Sequence, residues 1–526
     1  MTRASHVATL CAAAVCTATA LTACSGGGAT DGATATSDAK DTLVIAENEP
    51  PATFDPVQAD NSTVDEVDLP AYNTLLTYDA ASKLSGELAT AWTVRPDRKT
   101  IDLTIRQGVT FHDGTPLTAN DVVYTLDRAK SLNIGVASLI SSYLSSKAID
   151  GTHIEIRLGA PDAAFLAALT RVYVVNSTLV KSHAGTDGGQ SWLATNDAGS
   201  GPYTLTGYSS NQSASYTQYA KYWRGFTGQA KNIEFRYVTQ AATEESGLKN
   251  GDVDIAMDIP SSDWNSLDSA GFKIDKSPTN VSLYTFFNMK DATTGNKALR
   301  EAISYAYNYP GHIKSILNGA GNLMNGPVSK GMLCSIGSDI GQPTYDIAKA
   351  KQIVDANHLA GTTVTMTYLQ ATDEMARAAT LLQSELQKIG ITLKLESITY
   401  PQFQQMSAKD STRPQMSMIY AFPAFPDTSA LLNQNFNSKF IGNGQNWGAY
   451  TNPEVQSLLT SAQSESDDTR RCAQYQSVEK MLTSDFATIN MANSNYVTVM
   501  SSAVSGYTYQ SWHHQTVDVY AISLKK

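Results

Sequence analysis

TIDLTIRQGVTFHDGTPLTANDVVYTLDRA, residues Thr100–Ala129, changes its hydrophobic period once along its length, and that change decides how the chain is read. Ile101, Leu103 and Ile105 stand two apart with Asp102, Thr104 and Arg106 between them, the spacing of a half-buried strand. Asp113-Gly114-Thr115-Pro116 follows as a turn, with Gly supplying backbone freedom and Pro a preset dihedral. Thr118 and Asp121 then form a capping box, since the hydroxyl can accept the Asp121 amide while the carboxylate reaches back. Behind it Val122, Val123, Leu126 and Ala129 share one helical face. Strand, turn and capped helix agree locally, so the stretch is a structural unit rather than a catalytic loop.

Outward from this unit the chain keeps alternating strands and helices. Thr42–Ala46 reads as a short strand, Asp65–Leu76 as a helix, Ala148–Leu158 as an alternating strand and Val172–Val175 as a short buried one. Thr363–Tyr368, Met375–Lys388 and Ile391–Leu395 give strand, helix and strand, the pattern of a parallel α/β unit. Ile313–Leu317 reads as a helix, and Tyr496–Met500 and Val517–Leu524 as closing strands. No repeat of solenoid length is visible. Between Ile419 and Tyr450, seven aromatics (Tyr420, Phe422, Phe425, Phe436, Phe440, Trp447, Tyr450) are interleaved with Asn433, Asn435, Asn437, Asn443 and Asn446. That mixture lacks helical periodicity and suggests loops around a cleft, with ordinary loop packing as the alternative.

LATAWTV (Leu88–Val94), GVTFHDGTPLTANDVVYTLDRA (Gly108–Ala129) and GSGPYTL (Gly199–Leu205) together resemble the family 5 solute-binding proteins. Those are extracytoplasmic receptors of peptide, nickel and related ABC importers. FFNMKDATTGNKALREAISYAYN (Phe286–Asn308), YDIAKAKQIV (Tyr345–Val354) and LLQSELQKIGITLKLESI (Leu381–Ile398) extend the likeness in order along the chain. The resemblance implies an α/β fold of the type II periplasmic-binding-protein kind, two lobes with a hinge plus the extra domain of peptide-binding receptors. It places lobe I in 42–75, 190–283 and 497–526, the extra domain in 76–189 and lobe II in 284–496.

The resemblance also implies where a ligand sits. Tyr284, Phe286 and Asn288 fall at the crossing between lobes, and Tyr400 and Phe403 stand where the family often places cleft aromatics, with helix–strand packing as the alternative. The segment after PQMSMIYAF (Pro414–Phe422) lines the pocket, which adds Tyr420, Phe422, Phe425 and Trp447. AFPAFPDTSALL (Ala421–Leu432) occupies the place of a W-x-x-D-y-x-D-P loop whose first Asp pairs with a peptide ammonium group. Here that position is Ala424 and the Trp position is Ala421. A buried ammonium needs a carboxylate, so Asp427 or Asp60 takes over, or the ligand has no free amine there. A peptide or peptide-like solute is the leading expectation, and a non-peptide solute such as an oligosaccharide the alternative.

Enzyme motifs are missing: no Gly-x-Ser-x-Gly, no His-Glu-x-x-His and no Walker loop occurs. Ser200 between glycines reads as a tight turn, and His112 as structural. His513-His514 on a strand would point to opposite faces and offer a metal one imidazole at most. No catalytic residue, metal or cofactor is expected. An exported hydrolase is thus disfavoured, while a ligand sensor in place of an importer receptor stays open.

The 526 residues suffice for two or three domains, and 38 Lys and Arg against 49 Asp and Glu, net −11, disfavour a nucleic-acid partner. Residues 1–24 read as a leader ending in Leu21-Thr22-Ala23-Cys24, a lipobox pattern in which Cys24 receives a lipid; a simple secretory signal is the alternative. Residues 25–41 read as a flexible tether. The expected setting is extracytoplasmic, a monomer anchored to the cell membrane, with ABC permease and ATPase subunits as partners. Cys334 and Cys472 remain after the leader is removed, either bridged or as two buried thiols.

Overall fold

The alternating stretch forms strand Thr100–Ile105, in which Ile101, Leu103 and Ile105 are at most 2 % exposed. It belongs to an antiparallel four-stranded sheet with Ala89–Val94 on one side and His153–Leu158, then Tyr143–Ala148, on the other. Helix Ala119–Leu132 carries the expected capping box, with the Thr118 amide and hydroxyl both donating to Asp121 Oδ2 at 2.9 Å. Its Val122, Leu126 and Ala129 are buried. This computed structural model describes residues 40–79, 82–338, 340–370, 372–513 and 516–525. The leader with Cys24, most of the tether and His514 lie outside those residues.

From Lys40 onward the chain is a single compact unit built on two larger sheets. The first has seven strands in the order Lys273–Ser277, Tyr496–Met500, Ile255–Ala256, Thr42–Glu47, Asn232–Tyr237, Ser213–Gln218, Tyr203–Ser209. Thr42–Glu47 lies parallel to both its neighbours, which is why it reads as a continuous apolar run. The second has six strands in the order Gly321–Asn322, Thr488–Ser494, Ser282–Phe287, Met416–Ala421, Thr363–Leu369, Thr392–Ile398. Every residue of Ser282–Phe287 is buried, as a central strand requires. Thr363–Leu369 and Thr392–Ile398 are parallel and joined by helix Asp373–Lys388, the expected α/β unit.

The chain crosses between the two sheets twice. One crossing runs from Ser277 to Ser282, the other from Ser494 to Tyr496. Side chains stitch the crossings together: Asn493 Nδ2 donates to the carbonyls of Thr279 (3.0 Å) and Val281 (2.6 Å). Thr279 Oγ1 donates to Ser494 O at 2.7 Å, and Asn495 Nδ2 to Lys276 O at 3.2 Å.

Several local expectations are corrected. The helix expected over Asp65–Leu76 is Ser62–Asp68, started by the Asn61 cap and ended before Pro70. Ala148–Leu158 is not one strand; Asp150 accepts the Thr152 and His153 amides in a turn that folds Tyr143–Ala148 back on His153–Leu158. Val172–Val175 makes only a bridge through Tyr173 to Thr74. His312–Ile316 is a π-helical turn, and Val517–Leu524 contributes a 3₁₀ turn and the short strand Ser523–Leu524. The aromatic stretch from Ile419 is only partly loop: strand Met416–Ala421 runs into it and Thr428–Phe436 is a helix, while 422–427 and 437–450 are irregular apart from the 3₁₀ turn Ser438–Phe440.

Candidate functional site

A cavity of about 160 Å³ lies between the lobes. The first lobe contributes Asp60, the extra domain Leu139 and Asp162, and the second lobe Phe422, Ala424, Phe425, Asn433, Lys439 and Gln445, among others. Asp60 is set there by a short rigid frame. Asp55 caps the 3₁₀ turn Pro56–Gln58 and is gripped by both Nη atoms of Arg128, at 2.8 and 2.6 Å. Arg171, 1 % exposed, donates to Ala59 O and pairs with Asp65, which also accepts from Tyr173 and binds His513 Nδ1. Desolvation raises the Asp60 pKa, and the Arg171 charge nearby partly opposes it. Asp60 itself stays exposed and forms no salt bridge with a described residue. Asp162 accepts from Ser142 Oγ at 2.7 Å and from the Ala164 amide at 3.1 Å.

On the second-lobe side the cavity wall includes Phe425. This side chain is 5 % exposed and packs into the apolar cluster of the first lobe and extra domain, which also holds Phe54, Val57 and Ala59. Two further contacts join the four-stranded-sheet region to the second lobe. Arg98 Nη1 donates to Ser464 O at 3.0 Å, and the Ala163 amide to Gln463 O at 2.9 Å.

Of the residues expected to meet a ligand, Asp60, Phe422 and Phe425 line this cavity. Tyr400 is 45 % exposed and is not among the residues that line the cavity. The seven others are not among them either. Asp427 is 4 % exposed, bound by Arg471 Nη2 at 2.6 Å and capping helix Thr428–Phe436 through the Ser429 amide at 2.8 Å. Both contacts fall on Oδ1, and Asp427 is not among the residues that line the cavity. Tyr284 and Phe286 are buried in the second lobe, with the Tyr284 hydroxyl donating to Pro327 O at 2.6 Å. Asn288 accepts from the Lys290 amide in the turn after its strand. Phe403 and Trp447 pack on one another with ring centres 4.7 Å apart. Tyr420 donates to Glu374 Oε2 at 2.6 Å, away from the cavity wall.

Cys334 and Cys472 are joined in a disulfide. Next to it Leu333 is laid against the cleft segment: its amide donates to Pro426 O at 2.9 Å, and its carbonyl accepts from the Thr428 amide at 3.0 Å. Asp162 and Lys439 line the cavity but carry no sequence pattern that would single them out; only the three-dimensional juxtaposition does. Among the described residues no group of three or more His, Cys, Asp or Glu is arranged to hold a metal ion.

The sequence model of the bacterial extracellular solute-binding proteins, family 5 Middle, matches residues 83–443. A probable D,D-dipeptide-binding periplasmic protein, DdpA, of Escherichia coli (strain K12) is 28% identical over 492 residues, covering 92% of this chain and 94% of its own. The glutathione-binding protein GsiB of Shigella flexneri serotype 5b (strain 8401) is 23% identical over 483 residues, 89% of this chain and 92% of its own. Among solved structures, the ABC transporter substrate-binding protein CtaP of Listeria monocytogenes superposes with a TM-score of 0.83 at 21% identity, over 92% of this chain and 99% of that one. NikZ of Campylobacter jejuni, in complex with Ni(L-His), superposes with a TM-score of 0.80 at 20% identity, over 92% and 99%. These superpositions establish a shared two-lobed fold. With the family match spanning more than half its length, the chain belongs to the bacterial extracellular solute-binding proteins of family 5.

Proposed function

We propose that the protein is the solute receptor of an ABC importer, anchored outside the cytoplasm by a lipid on Cys24, and that it captures a peptide-like solute bearing a free amine. One observation carries the ligand class. Opposite charges stand on opposite walls of the interlobe cavity, Asp60 and Asp162 on the first lobe and extra domain, Lys439 on the second lobe. A zwitterion satisfies both walls at once, with its ammonium on Asp60 and its carboxylate on Lys439, and so stabilises the closed form. Asp60 takes the duty that Ala424 cannot perform and that Arg471 denies to Asp427. The peptide ligands named for the relatives support this class. The protein binds and releases; no covalent step is involved.

A non-peptide solute is the second reading, and Asn433, Gln434, Gln445 and Gln463 favour it, because uncharged amides along one wall suit a hydroxyl-rich ligand. Calorimetric titration with D-Ala-D-Ala, its N-acetyl form and maltotriose separates the two. The expected result is binding of the free dipeptide, at least about tenfold weaker after N-acetylation or in Asp60→Asn, the loss of one charge-assisted contact. Binding of maltotriose with none of the dipeptide would sink the peptide reading.

A further inference from the structure

A second and larger pocket, about 350 Å³, lies where the two lobes meet beside the crossing at Ser494–Tyr496. Its charged lining is wholly acidic: Glu47, Glu49, Glu66 and Asp258 from the first lobe, Asp373 and Glu374 from the second. Glu47 ends strand Thr42–Glu47, Glu66 projects from helix Ser62–Asp68, and Asp258 follows strand Ile255–Ala256. Three separate elements thus bring carboxyl groups to one place, and no described basic side chain pairs with any of the three. Glu47 is 8 % and Glu66 1 % exposed, and Glu47 Oε2 and Glu66 Oε1 have no hydrogen-bond donor. The nearby Tyr237 hydroxyl, also buried, is not used to satisfy them. Buried acids without a cation are unfavourable for a fold to retain.

We propose that this pocket is a second interlobe binding site, for a small organic cation whose ammonium or guanidinium group sits among Glu47, Glu66 and Asp258, with Asp373 facing it from the other lobe. The carboxyl groups are not gathered closely enough for metal coordination, whereas a guanidinium spans several carboxylates through its fork of donors. The surrounding charges are already committed. Glu374 is held by His312, Tyr420 and Ser494; Arg377 lies 3.4 Å from Asp373; Lys276 lies over the Trp264 ring at 4.7 Å. Without the cation, a proton shared between Glu47 and Glu66 relieves the pair. Burial, with Asp258 and Glu49 adding repulsion, raises the Glu47 pKa to about 7, and burial raises that of Asp258 to about 6. Cation binding therefore displaces protons near neutral pH. The site does not depend on what the cavity at Asp60 takes.

The test is calorimetric titration of the purified protein with agmatine and with putrescine, in two buffers of different ionisation enthalpy, at neutral pH. The expected result is binding with proton release, weakened at least about tenfold in Glu66→Gln and in Asp258→Asn, the effect of removing one charge-assisted contact. Absence of binding to the wild-type protein would overturn the proposal, as would equal affinity in both variants, or equal stabilisation by magnesium chloride. Should a variant fail to fold, the wild-type proton count decides alone: zero protons released refutes the shared-proton pair and the site with it. A D-Ala-D-Ala titration of the same sample keeps this outcome separate from that of the solute receptor.

Discussion

Asp427 and Asp60 look interchangeable as sequence, yet their surroundings differ, Asp60 lining the cavity and Asp427 lying buried on Arg471. Asp427 is bound by Arg471, a residue 44 positions away whose relevance no local pattern announces. Asp427→Asn leaves the Arg471 guanidinium buried without its counter-charge, so a loss of about 3–5 kcal/mol in urea-unfolding stability is expected. Asp60 was legible because it follows the Phe54-Asp55-Pro56 turn, but the Asp55–Arg128 grip that fixes that turn was not. A third acid, Glu244, shows a pH effect. It is buried, accepts the Met257 and Asp258 amides, and burial lifts its pKa from 4.5 to about 8. A carboxyl whose folded pKa exceeds its unfolded one stabilises the fold fully below the unfolded value, and that contribution fades as pH rises through the folded value. Glu244→Gln, which keeps an acceptor and never ionises, is therefore expected to change melting temperature little at pH near 4.5 relative to its gain near pH 8. An equal effect at both ends of the range would contradict this.

At the level of elements, the unit from Thr100 to Ala129 was readable because propensity, cap and apolar spacing agree within thirty residues of chain. The stretch after Ile419 was not. Its helix Thr428–Phe436 buries Leu431, Leu432 and Phe436, but Asn433 and Asn435 interrupt the apolar pattern, and Asn435 is accommodated by donating to Leu431 O. The hairpin at Asp150 was missed for a different reason: the alternation runs straight through a turn made by one carboxylate. The disulfide acts on the same region. It closes a sequence separation of 138 residues and lies beside the Leu333 bridge to Pro426–Thr428. Cys334→Ser with Cys472→Ser is expected to lower stability by about 2–5 kcal/mol, read by urea unfolding, and to weaken solute binding by loosening that bridge. Unchanged affinity would show that the cleft segment holds its shape alone.

For the whole molecule, the two lobes are joined by two crossings, and side-chain contacts across the cleft add to them. Phe425 makes one of these contacts, buried in the cluster that holds Phe54, Val57 and Ala59. Phe425→Ala should destabilise the closed form relative to the open one by about 2 kcal/mol, the burial of one large apolar side chain. Small-angle scattering of the unliganded protein checks this, through an increased radius of gyration in the variant.

The placement of Phe425 in the opposite lobe's core also bears on kinetics. A solute can enter or leave past this wall only when the ring withdraws, and a conformer with the ring seated does not admit one. Observed affinity is then the intrinsic one multiplied by the fraction that is ajar. Departure of the cargo waits on the same withdrawal, so one phenylalanine meters both entry and exit.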